Sequence, residues 1–66
     1  MNITLKEYIE QNNINKNIAV LLLKKGGKTI SVEYTPKEFN VMSECLLNME
    51  VMDVVDEDDA IEIWVM

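Results

Sequence analysis

A chain of 66 residues has room for one small domain, spanning 1–66. At that size folding hides only about 60% of the surface an unfolded chain exposes, so stability is expected to be slim. A composition of 48% hydrophobic and 27% charged residues is that of a globular domain and excludes wholesale disorder. With one cysteine and no histidine, an internal disulfide and a zinc site of ordinary ligand type are both excluded.

The net charge of −6 is unevenly spread. Residues 1–37 carry six lysines against three acids, a net +3, while residues 38–66 carry nine acids and no base, a net −9. That balance repels a phosphate backbone, and the chain has no arginine to grip phosphates or guanine edges. Direct nucleic-acid binding is therefore disfavoured, and a basic protein is the better electrostatic partner. The amino-terminal segment is charged where a signal peptide needs an apolar run. The longest apolar stretch, residues 18–23, falls far short of the ~20 residues that cross a bilayer. A cytoplasmic protein with no membrane partner is expected.

In chain order, Thr4-Leu-Lys-Glu7 spells a capping box, with Ile3 and Tyr8 placed as a hydrophobic staple. Leu5, Tyr8 and Ile9 then share one helical face, and Asn12-Asn13 is a suitable stop. Residues 28–34 alternate strictly, with Ile30, Val32 and Tyr34 on one side and Thr29, Ser31 and Glu33 on the other. A two-residue turn at Gly26-Gly27 predicts a hairpin that pairs Lys25 with Lys28. Leu23, Leu21 and Ala19 then face Ile30, Val32 and Tyr34. Because residues 18–23 are apolar on both faces, their strand is expected to be central.

Thr35-Pro-Lys-Glu38 repeats the capping box, with Pro36 at the first helical position and Tyr34 and Phe39 as the staple. Phe39, Met42, Cys45/Leu46 and Met49 follow at helical spacing, which predicts a buried, inert Cys45 thiol. The tail predicts a second hairpin across Asp56-Glu57-Asp58-Asp59, with Met52 and Val54 sharing a face with Ile61, Ile63 and Val65. A helix continuing to Val55 is the competing prediction, and the β-branched Val51, Val54 and Val55 weigh against it.

An offset of 31 lays residues 4–34 over 35–65 and superposes cap, staple and turns, with six identities among 31 positions. Duplication and chance convergence on one plan are both compatible with that. The fold class expected is α+β, a two-layer αββ-αββ domain with a four-stranded antiparallel sheet and two helices on one face.

The other face would carry Val20, Leu22, Lys24, Thr29, Ser31 and Glu33, then Val51, Asp53, Val55, Ala60, Glu62 and Trp64. The group Val20, Leu22, Val51, Val55 and Trp64 is more apolar than a wet face requires and marks a candidate interface. A strand preference of Val and Leu, with Trp64 folded over the sheet edge, is the plainer explanation. Asp53, Asp56, Glu57, Asp58, Asp59 and Glu62 form a candidate acidic docking surface, or simply a solvated turn. A calcium site is poorly matched, because the spacing lacks the EF-hand turn glycine. Lys24, Lys25 and Lys28 around Gly26-Gly27 lack the spacing of a phosphate loop.

No catalytic, cofactor or metal constellation emerges. The sequence points to a small acidic non-enzymatic protein–protein interaction module, an adaptor, inhibitor or regulatory partner, binding another protein or itself as a homodimer through the open sheet face. The alternative is a nucleic-acid-mimicking inhibitor from a phage or mobile element that uses the acidic carboxy-terminal half.

Overall fold

Thr4 opens the first helix as the capping box requires. Its extended backbone (φ −82°, ψ 163°) lets Oγ1 accept from the Glu7 N–H at 3.2 Å, while the Glu7 carboxylate accepts from the Thr4 N–H at 3.1 Å. Helix α1 runs Leu5–Asn12 and stops where Asn13 turns left-handed at φ 46°, a conformation Asn tolerates better than most residues. In the computed structural model, which describes residues 3–23 and 27–66, two hairpins follow. They are β1 (Asn17–Leu23) with β2 (Thr29–Tyr34), and β3 (Val51–Asp56) with β4 (Ala60–Val65).

The fold is α+β, with a four-stranded mixed sheet in the order β2-β1-β4-β3. Each hairpin is antiparallel, but the two meet through β1 and β4, which run parallel. The wholly antiparallel sheet expected from sequence is thus amended at its centre. β1 is internal, as its apolar character on both faces predicted.

The first hairpin corrects the predicted register by one residue. Val20 pairs with Val32, Leu22 with Ile30 and Ile18 with Tyr34. Five residues separate the last pair, Leu23 and Thr29, and an odd number is incompatible with the two-residue glycine turn. Gly26 of that turn, with Lys24, Lys25 and the Leu23 side chain, lies outside the described residues. Gly27 is described, in the positive-φ region (79°) that glycine enters freely. A one-residue slip exchanges the two faces of a strand. Val20 and Leu22, expected on the open face, therefore point toward the helices, and Ala19 and Leu21 take their place.

The second hairpin carries its own correction. A register shift between Val51 and Asp53 marks a β-bulge at Met52. Val51 faces the core at 1% exposure, paired with Val65, while Met52 is 49% exposed. Beyond the bulge the alternation is as expected, with Val54 inward and Asp53 and Val55 outward.

The second predicted helix is broken in two: a 3₁₀ segment, η1 (Pro36–Val41), and one short α-helical turn, α2 (Glu44–Leu47). Asn40 and Val41 are weak helix formers. Ser43 then takes an extended backbone and accepts from the Leu46 N–H at 3.2 Å, capping a new start. At the head of η1, Thr35 has the same backbone angles as Thr4, and its N–H donates to the Glu38 carboxylate at 2.9 Å. That hydrogen bond holds the Glu38 carboxyl below its usual range. Met42 and Leu46 reach the core, but Cys45 is exposed, correcting the buried thiol expected from sequence.

Three rows of side chains run across the inner face. They are Ile30-Leu22-Val65-Val51, Val32-Val20-Ile63-Val54 and Tyr34-Ile18-Ile61-Asp56. Leu5, Met42 and Leu46 close over them, and Leu5, Ile18, Val20, Ile63 and Val65 are fully buried. Each such aliphatic side chain contributes ~1.5–3 kcal/mol when taken out of water. Both helical segments thus lie on one face, as predicted.

The proposed offset of 31 does not carry into the pairing. Val20 pairs with Val32, yet their counterparts separate, with Val51 opposite Val65 and Ile63 opposite Val54.

Candidate functional site: the outer sheet face

With the register set, the face away from the helices carries two rows. The first is Ser31-Leu21-Trp64-Asp53 and the second Glu33-Ala19-Glu62-Val55. Alternation places these residues, because every neighbour of a core residue along a strand must point the other way. Leu21 and Trp64 are direct partners on the parallel pair β1 and β4, and both are half-buried. Asp53 faces Trp64 from the other side, and Glu62 lies two residues before it on the same strand face.

The centre of this face is therefore an indole and a leucine, flanked by Ala19 and the 41%-exposed Val55. Its charged members in these rows are Glu33, Asp53 and Glu62, all acidic. Asp53 is held close to its own strand, its Oδ1 accepting from the Val54 N–H at 2.9 Å. The arrangement offers an aromatic surface with carboxylates beside it, which suits a cationic side chain stacked on the indole and hydrogen-bonded at its rim.

Of the five apolar residues expected to form the interface, Val55 and Trp64 lie on this face. Val20 and Val51 are core residues at 0% and 1% exposure, and Leu22 packs against the core. The one-residue register and the bulge are the causes. Leu21 was missed for the same reason, since an apolar run on both faces gives no periodicity to choose between them.

The six acids expected to act together are divided. Asp53 and Glu62 belong to the outer face. Glu57, Asp58 and Asp59 form the exposed tip between β3 and β4, where the Glu57 N–H donates to the Ala60 carbonyl at 2.9 Å. Asp56 falls by register on the helix-bearing side, at its rim. There it forms an ion pair with Lys16, whose ammonium also donates to the Glu57 carbonyl at 2.9 Å. No sequence signal pointed to Lys16, which lies 40 positions away. Among the described residues, no three of Cys, Asp and Glu are grouped so as to hold a metal ion.

The opposite side of the molecule has a shallow groove of about 210 Å³ between α1 and the η1–α2 segment. Its floor is Ile9, Phe39 and Leu47, with Lys6 and Glu10 at the rim. Among the described residues, no helix is long and apolar enough to cross a membrane. Comparison with known protein families, curated proteins and solved structures found no match for this chain.

Proposed function

We propose that the chain is a small, non-enzymatic interaction module of the cytoplasm, needing no cofactor, that binds a basic segment of another protein on its outer sheet face. Supporting this reading is the setting of Trp64, with Leu21 on one side and the Asp53 carboxylate on the other. An Arg or Lys of the partner stacks on the indole while its charge meets Asp53 and Glu62. Such a contact contributes ~0.5–2 kcal/mol as it is desolvated. The apolar centre excludes water, and the acidic margin steers approach. Nucleic acid and membrane surfaces are not partners, because the rows of this face supply no positive charge.

The test is a titration with an arginine-rich peptide, read by the fluorescence of the single tryptophan and by backbone NMR shifts. Shifts should gather on Ala19, Leu21, Asp53, Val55, Glu62 and Trp64. Trp64→Ala should weaken binding about tenfold, matching the loss of a ~1.4 kcal/mol contact, while Asp58→Asn with Asp59→Asn should change it little. The reverse ranking would return the function to the acidic tip.

A further inference from the structure

The two edges of the sheet are treated differently. At the β3 edge, the segment before α1 lies alongside the strand entrance. The Val51 N–H donates to the Ile3 carbonyl and the Leu5 N–H to the Met49 carbonyl, both at 2.9 Å, with Thr4 bridged to Glu50. At the β2 edge nothing comparable is found. Among the described residues, no backbone hydrogen bond reaches Thr29–Tyr34 apart from the ladder to β1. β2 has no proline, no bulge and no charge pointing inward, and Glu33 on the outer face is its one charged side chain.

The inner face is also thinly covered there. Ile30 belongs to the helix-bearing face, yet it is 40% exposed, and its neighbour Val32 is half-buried. A row of unpaired backbone groups thus borders an apolar stripe that the helices do not finish covering.

We propose that β2 pairs antiparallel with β2 of a second copy, joining two sheets into one of eight strands. Ile30 and Val32 complement themselves when the strand is reversed, which singles out a second copy as the occupant, and the charge distribution permits it. Strand order puts β2 farthest from the acidic β3–β4 hairpin, so two molecules meeting at β2 hold their most acidic parts apart. Symmetry restricts the register. An edge joined to its own copy is turned about an axis perpendicular to the sheet, which keeps both sets of helices on one side. Inner residues must then oppose inner residues.

With Ser31 on the axis, Ile30 faces the copy's Val32, and Val32 faces its Ile30, closing the exposed stripe with aliphatic pairs. Thr29 faces the copy's Glu33. The two Glu33 side chains then lie roughly 13 Å apart along the strands, beyond the ~8 Å screening length at physiological salt. The covered β3 entrance opposes head-to-tail growth, so the assembly closes as a dimer. This inference does not depend on the outer-face reading.

Sedimentation from micromolar to millimolar concentration tests it, alongside Ile30→Lys and Trp64→Ala. A weak dimer is expected for the native chain, lost in Ile30→Lys with its far-UV circular dichroism unchanged, and kept in Trp64→Ala. On a Cys45→Ser background, Ser31→Cys should cross-link into a covalent dimer under mild oxidation. A chain that stays monomeric at millimolar concentration overturns the proposal. So does a dimer indifferent to Ile30→Lys, one dissolved by Trp64→Ala, or a Ser31→Cys variant that fails to cross-link.

Discussion

Leu21 and Trp64 stand directly opposite each other on parallel strands contributed by the two halves of the chain. Their neighbours Val20 and Ile63 form the matching pair on the buried side. One residue of register therefore decides which pair is core and which is surface. Val20→Lys should abolish folding, because an unpaired buried ammonium costs several kcal/mol, a large part of the ~5–15 kcal/mol that holds a domain together. Leu21→Lys should fold, losing about 1 kcal/mol. Circular dichroism and urea unfolding of the two variants decide the register, since the glycine-turn pairing requires the opposite result.

The Lys16–Asp56 ion pair ties the loop after α1 to the end of β3, yet its partners are 32% and 65% exposed. Exposed pairs contribute little, so Lys16→Met should cost no more than about 1 kcal/mol. A double-mutant cycle with Asp56→Asn should give a coupling that fades in molar salt.

Glu38 should titrate below the ordinary 4.5 of a glutamate, its carboxylate stabilised by the Thr35 N–H. A folded-state pKa below the unfolded one means its stabilising contribution is present above the unfolded value and lost as pH falls through the folded one. NMR titration of the carboxyl carbon gives the midpoint. Glu38→Gln should remove this part of the acid sensitivity by taking away the contribution at neutral pH, and leave the stability at acid pH nearly unchanged.

Local signals were the legible part of this fold. The Thr4–Glu7 box, the strict alternation of Ile30, Val32 and Tyr34, and the inward set Ile61, Ile63 and Val65 all followed from short-range chemistry. What failed depended on partners distant in sequence or on single-residue insertions. Residues 18–23 are apolar on both sides, so only the pairing with β2 and β4 could tell Leu21 from Leu22. The bulge at Met52 has no signature in residue type, and it moved Val51 from the expected surface into the core. For the candidate site this means Trp64 and Val55 were readable, whereas Leu21 was not. Phe39 and Leu46 suggested one continuous helix, but Ser43 supplied a second cap between them.

The parallel contact between β1 and β4 has a consequence for how the chain reaches its native state. Ile18 meets Ile61 across a separation of 43 positions, and the loop between them includes every other strand and both η1 and α2. Each hairpin is a local pairing, but neither encloses an interior until β1 and β4 converge, and closing so long a loop is entropically costly. Severed between Tyr34 and Thr35, the two fragments would each be left with half a sheet and a greasy flank. They should regain order only on being mixed.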